Sequence, residues 1–139
     1  MKVSLIGAGR LGRSLSALLE QAGIETELLG RNDRLSAGSD VVLLTVPDRV
    51  IVSLAAALDT HAPVLHCSGA LDWRRLRPRQ PIGWFHPLMT FPGPDVQLPD
   101  LTDVPVAVDG DPEALACAQH LTEALGAQAI HVPGDVRLY

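Results

Sequence analysis

The sequence has one lysine beside ten arginines, only two cysteines, and five aromatic residues in 139 positions. Two cysteines make no disulfide framework, and no secretion signal accompanies them. They read as reduced thiols in packing roles, Cys67 in a strand and Cys117 in a helix. Five aromatics leave no base-stacking platform, and the net charge of −5 speaks against a nucleic-acid partner. No apolar run approaches the about 18 residues of a membrane span, so no membrane partner is expected. The start, Met1 to Gly12, is a short apolar stretch interrupted by Arg10, with no small-residue cleavage site after it. It reads as a first strand and not a signal peptide, and the expected location is cytoplasmic. Neither internal repeats nor low-complexity segments are present.

At 139 residues, 47% of them hydrophobic and 19% charged, the chain has the size and composition of one folded domain with its own core. Charge is divided unevenly. Residues 1–79 hold ten basic residues against eight acids, net +2, and residues 80–139 hold one against eight, net −7. An anionic ligand is therefore expected at the first half.

Hydrophobic patterning predicts strands at 2–7, 25–30, 40–46, 63–67, 81–85, 104–108 and 127–132. Leu11, Leu15, Leu18, Leu19 and Ala22 repeat with helical period and stop at Gly23. Pro47-Asp48 opens a helix through Leu58, and Asp111-Pro112-Glu113 caps another to Leu125. A turn and short helix run from Ser68 to Leu76. Seven of the eleven prolines fall between 78 and 105, making 87–103 a long Pro-rich loop. Alternating strands and helices predict an α/β fold: three layers, doubly wound, with a mostly parallel sheet of about seven strands. The expected order is 3-2-1-4-5-6 with the seventh unplaced, and ligands are expected outside the carboxyl ends of the strands.

Gly7-Ala8-Gly9-Arg10-Leu11-Gly12 is a G-x-G-x-x-G loop between a strand and an amphipathic helix, the context that gives the pattern its dinucleotide meaning. Gly7 permits the turn, Gly9 lets a pyrophosphate approach the backbone, and Gly12 lets the helix pack on the strand. The helix N-terminus offers free N–H groups and a positive dipole end, and Arg10 adds a full charge there. Arg13 reads as a solvated helix residue. Beyond the second strand, where an NAD site carries an acid for the ribose, stand Arg31 and Asn32. A guanidinium suits a 2′-phosphate, so NADP is preferred to NAD. Arg34 is a candidate second contact, and Asp33 is the residue that would instead serve a ribose hydroxyl.

Thr45-Val46-Pro47-Asp48 and Cys67-Ser68-Gly69 follow the third and fourth strands at the same edge. Ser68 and Gly69 are candidates to offer a hydroxyl and N–H groups to nicotinamide or substrate, and an ordinary turn explains them equally well. Asp48 reads as a first-turn helix acid. His86, flanked by Trp84, Phe85 and Phe91, has two readings: a donor or acid toward a substrate C=O or C=N, or a structural residue tying down the long loop. His61, His66, His120 and His131 have no metal-ligand spacing, and no metal is expected.

Taken together, Gly7–Gly12, Asp40–Asp48, His66-Cys-Ser-Gly-Ala70 and Trp84-Phe-His-Pro-Leu88 resemble a group of Rossmann-like oxidoreductases with a C-terminal helical domain of unknown function. That group is similar to pyrroline-5-carboxylate reductase, prephenate dehydrogenase and the deazaflavin-dependent NADP reductases. The resemblance covers the whole chain. It implies a nicotinamide cofactor at Gly9, Arg10, Leu11, Arg31, Val46, Pro47 and Ser68, with His86 near the nicotinamide end. Two departures stand out. Residues 31–39 are short for a parallel crossover, which usually takes a dozen or more, and the chain stops at Arg137-Leu-Tyr139, where family members enter the helical domain that helps build the substrate site and the dimer. Residues 1–134 are thus expected to be the dinucleotide-binding domain and 135–139 the start of the helical one. A homodimer is a candidate assembly.

The expected function is hydride transfer between NADP(H) and a small-molecule C=O or C=N, with His86 and Ser68 as candidate catalytic residues. The chain alone is expected to bind cofactor and to turn over poorly. The alternative is a non-catalytic nucleotide-binding or assembly module. Methyl transfer is disfavoured, because such sites generally want an acid where Arg31 stands.

Overall fold

A computed structural model describes residues 1–30, 32–93 and 95–133. The elements are β1 (Lys2–Ile6), α1 (Arg10–Gln21), β2 (Glu25–Leu29), β3 (Val41–Leu44), α2 (Asp48–Ala57), β4 (Val64–His66), β5 (Ile82–Pro87), β6 (Pro105–Gly110), α3 (Pro112–Ala124) and β7 (Gln128–His131), with a short 3-10 helix at Trp73–Leu76. All seven expected strands form. They join one sheet in the order β2-β1-β3-β4-β5-β6-β7. The pairs from β2 to β5 are parallel, β6 runs antiparallel to β5, and β7 is parallel to β6.

This corrects the expected order 3-2-1-4-5-6: β3 lies beside β1, on the side away from β2. The reason is burial. Val-Val-Leu-Leu of β3 is buried at every position, as a strand covered on both faces must be. Glu-Thr-Glu-Leu-Leu of β2 leaves Glu25 and Leu28 exposed, which only an edge strand tolerates. The observed arrangement of the first five strands, 2-1-3-4-5, is the other common doubly wound order.

The crossover from β2 to β3 contains no helix, as its shortness requires. Polar contacts fasten it across β1 instead. The fully buried Ser4 hydroxyl donates to Glu27 at 2.9 Å and lies 2.6 Å from the Ser39 hydroxyl. Lys2 Nζ donates to Ser36 at 2.7 Å, and the Asp40 carboxylate accepts the Lys2 N–H.

Alternation along each strand divides the core. One face packs Val3, Leu5, Val41, Leu43, Leu65, Phe85, Val106 and Val108 under α1 and α3, through Leu15, Leu19, Ala114, Ala118 and Leu121. The other packs Ile6, Val42, Leu44, Val64, Ile82 and Trp84 under Ile51 and Ala55 of α2 and Trp73 and Leu76 of the 3-10 helix. Asp111 precedes α3, but its carboxylate does not cap it. It forms a two-pronged pair with Arg77 at 2.8 and 2.5 Å and accepts the Ile82 N–H, a stronger charge-assisted set of partners. Among the described residues no helix is long and apolar enough to cross a membrane.

The strand order has a direct test in native-state hydrogen exchange. The amides of β3 are expected among the slowest in the protein and those of β2 among the fastest of the sheet. Fast exchange in β3 with protection in β2 would restore the 3-2-1 order.

Candidate functional site

Parallel register brings the carboxyl ends of five strands into one row: Leu29, Ile6, Leu44, His66 and Trp84. Just beyond that row the chain delivers Gly7, Thr45, Cys67-Ser68 and His86 to a single edge. The winding reverses between β1 and β3, since β2 lies on one side of β1 and β3 to β5 on the other. Ligands of doubly wound sheets bind outside such a reversal.

The fold requires two of the three loop glycines, for different reasons. Gly7 has φ +122°, and a Cβ there would collide with the Thr45 carbonyl group. A Cβ on Gly12 would collide with the Gly7 carbonyl oxygen and lie 2.7 Å from Thr45 Oγ1. Thr45 closes this contact, its hydroxyl reaching Gly7 O at 2.8 Å and Ile6 O at 3.1 Å. Gly9 differs. Its φ of −82° and ψ of −164° suit any residue, and a Cβ there meets nothing within 4 Å. Neither the conformation nor the packing of the protein calls for glycine at this exposed position, immediately before α1. The first turn of α1 also leaves N–H groups without intrahelical partners beside it. Of the neighbouring loop residues, Ala8 and Arg10 are exposed, and Leu11 is half-buried against the α1 core.

After β2, Asn32 is exposed, whereas Arg31 lies outside the described residues. Asp33 turns back on its own loop, accepting the Gly30 N–H at 2.7 Å while its N–H donates to Gly30 O. Val46 is half-buried on the α2 face, and Pro47 is the exposed residue preceding α2.

The turn after β4 is held by three rings. His66 Nδ1 accepts the Ser68 N–H at 3.1 Å, Trp84 Nε1 donates to Ser68 O at 2.6 Å, and His86 Nδ1 donates to Cys67 O at 2.7 Å. The Trp84 and His86 rings are stacked, 6.1 Å apart and 4° from parallel. Ser68 Oγ accepts the Ala70 N–H. The Ser68 N–H, expected to face a ligand, is therefore committed to His66, and what Ser68 retains is its hydroxyl hydrogen. Sequence reading placed His86 at this edge but missed Thr45, His66 and Trp84 as the groups that fix it. A polar Thr ending an apolar strand was the available signal for the first.

A carbonyl oxygen only accepts, so His86 Nδ1 carries the hydrogen of this bond. Burial pushes the His86 pKa down, opposed by the bond to Cys67 and the charge of Asp48. His86 thus ties β5 to Cys67 and lines a cavity. That cavity, about 200 Å³, is bounded by Arg10, Leu11, Cys67, His86, Pro87, Met89 and Phe91. Burial pushes the Cys67 thiol up to about 12, so it is no nucleophile at neutral pH. A larger hollow of about 550 Å³, by Leu18, Gln21, Leu98 and Leu125, lies at the far end of α1 from the glycine loop. Among the described residues, no three His, Cys, Asp or Glu side chains group as a metal site.

No protein-family model matches the chain, and no curated protein matches it by sequence. Solved structures match its fold. A Bacteroides fragilis protein assigned as an NADP oxidoreductase aligns with a TM-score of 0.79 at 16% identity, over 96% of this chain and 61% of that one. Synechocystis arogenate dehydrogenase aligns at 0.74 and 19% identity, over 96% and 60%. Prephenate dehydrogenase of Aquifex aeolicus aligns at 0.73 and 16%, over 96% and 62%. The chain has the Rossmann-type α/β fold of these oxidoreductases and spans about three-fifths of the length of each.

Two predictions follow from the site's packing. Gly12→Ala is expected to cost roughly 3 kcal/mol of stability, because backbone must move. Gly9→Ala should cost under about 1 kcal/mol. Denaturant unfolding of both variants checks the contrast, and equal losses would place Gly9 in the packing as well.

The second concerns His66, which is fully buried. Burial lowers its pKa from 6.5 to about 4, the His86 charge adds to this, and Asp48 opposes it. The unfolded chain therefore takes the proton first. Stability is full above about pH 6.5 and falls as the pH drops toward 4, by about 2 kcal/mol between pH 7 and 5. His66→Gln, which accepts the Ser68 N–H without titrating, should remove most of that slope in thermal melts. An unchanged slope would exclude His66 as its source.

Proposed function

We propose that this chain is the nucleotide-binding domain of an oxidoreductase that passes hydride between NADP(H) and a small-molecule C=O or C=N group. Gly9 carries the reading. A glycine that the protein itself does not need, at the winding reversal and beside unpartnered helix N–H groups, fits a ligand whose phosphates come against the backbone. The solved relatives named as dehydrogenases share the fold and support the class of chemistry.

When bound, the nicotinamide supplies or takes the hydride. The residues of the chain do the rest. The N–H groups after Gly9 hold the pyrophosphate. Arg31 and Asn32 hold the 2′-phosphate, with Asp33 Oδ2 accepting the Gly30 N–H in the turn between them and β2. Val46, Pro47 and the Ser68 turn flank the nicotinamide end. His86 exchanges the proton at Nε2: protonated, it gives the proton to the oxygen or nitrogen being reduced, and neutral, it takes one from the alcohol or amine being oxidised. Its lowered pKa makes the neutral ring the main form at neutral pH. Reduction should therefore slow as pH rises, while oxidation is maintained.

Calorimetric titration of NADPH and NADH into this chain and into Arg31→Ala tests the cofactor. NADPH is expected to bind more tightly, and Arg31→Ala to weaken it about 10- to 100-fold, toward the NADH level, by removing a charge-assisted contact. Binding of neither nucleotide would overturn the assignment. For turnover, His86→Gln is expected to lower the rate about 100-fold or more with NADPH affinity retained. Tight NADPH binding with no turnover of any carbonyl or imine, in an assay of the protein joined to a helical domain, would leave a nucleotide-binding module.

A further inference from the structure

Sequence reading gave the Arg10 charge to the pyrophosphate, but the structure places this residue in the wall of the cavity that His86 enters. Among the described residues lining it, Arg10 is the only charged side chain, and the rest, His86 apart, are Leu11, Cys67, Pro87, Met89 and Phe91. Asp95, of the loop that follows β5, does not neutralise it. Asp95 is held by Arg13 through both carboxylate oxygens, each at 3.1 Å. Arg10 itself makes no ion pair or hydrogen bond among the described residues. Arg10 is exposed, and Gly93, at φ +96°, comes near its stem, so that a Cβ there would lie 3.6 Å from Arg10 Cγ. The helix N–H groups meanwhile provide for phosphates without a guanidinium.

A cation with no counter-ion among the described residues, bordering a small apolar cavity that also borders an imidazole, describes the complement of one kind of molecule. At about 200 Å³ the cavity is below the roughly 300–1,000 Å³ of pockets for drug-sized ligands. We propose that Arg10 anchors the substrate and not the pyrophosphate, and that the substrate is a small carboxylic acid whose carboxylate pairs with Arg10 while its C=O or C=N reaches His86. This deepens the hydride-transfer reading and rests on it. Hydride adds to the carbon of that group and the His86 proton to its oxygen or nitrogen, with the carboxylate unchanged throughout.

The test uses this chain with NADP+, which cannot reduce an oxo compound, so ligands bind without turnover. The probes are 2-oxopentanoate and 4-oxopentanoate, each beside its uncharged amide, followed by NMR titration. At least one acid is expected to bind about tenfold more tightly than its amide. Arg10→Ala should erase that preference, Arg10→Lys should keep part of it, and NADP+ affinity measured by calorimetry should change less than about threefold. Equal binding of acid and amide, or no binding of either acid, overturns the proposal. So does an Arg10→Ala variant that weakens NADP+ as much as it weakens the acid, which would return Arg10 to the phosphates. If NADP+ itself fails to bind, the cofactor reading falls, and the same acid–amide comparison without nucleotide decides the anchor. An Arg10-dependent preference for the acid sustains it, and its absence ends it.

Discussion

At Gly12 the start of α1 lies against the Gly7 carbonyl and the Thr45 hydroxyl with no room for a Cβ. No side chain separates the helix from the sheet there. Thr45 ties the ends of β1 and β3 together, with its N–H on Ile6 O and its hydroxyl shared between Ile6 O and Gly7 O. The start of α1 is thereby pinned at the place where the winding reverses. Its N–H groups open to the edge because the first turn cannot withdraw into the sheet, nor be pushed away from it without breaking that contact. The exposure of Gly9 and the place of Arg10 beside the cavity both follow from it.

The second rigid feature is the turn after β4, and it shows how two imidazoles one ring apart are given different chemistry. His66 sits in a row of apolar side chains, accepts at Nδ1 and is fully buried. A proton on it would cost both solvation and the bond that holds the Ser68 N–H, so it is a fixed acceptor. His86 donates at Nδ1, is 9% exposed and borders a cavity. Its bond to Cys67 survives protonation, because a protonated ring still donates from Nδ1. The two share the influence of Asp48, and a charge on His86 disfavours one on His66. Of the pair, only His86 can change charge without losing its place.

Most of this architecture is legible in the sequence because it is local. Strand and helix periods, the spacing of Gly7, Gly9 and Gly12, and Pro47 and Pro112 at helix starts are each decided within a few residues. Strand order is not local, yet β2 and β3 held its signal: two glutamates in one run and none in the other. The preference for the commoner doubly wound order overrode it. The clamp on Ser68 was out of reach, because His66, Trp84 and His86 act on backbone atoms that no side-chain pattern reports. His66 looked like one of four scattered histidines. Asp111 looked like a helix cap, and the competing partner, Arg77, is 34 positions away.

The reversal at β6 decides what can become a site. Had β6 run parallel to β5, the connection after His86 would have crossed to the opposite edge of the sheet, as a parallel crossover must. Because β6 is antiparallel, the connection leaves and rejoins the sheet at the same edge: Pro87 pairs with Val106, and the Leu88 N–H donates to Pro105 O. Residues 88–104 therefore begin and end beside the glycine loop. That is why Met89 and Phe91 wall the cavity, Gly93 comes near Arg10, and Asp95 reaches Arg13. The five parallel strands make the edge at which the winding reverses. The antiparallel one makes the enclosure beside it, and so the segment richest in proline is the one that gives His86 and Arg10 a common space.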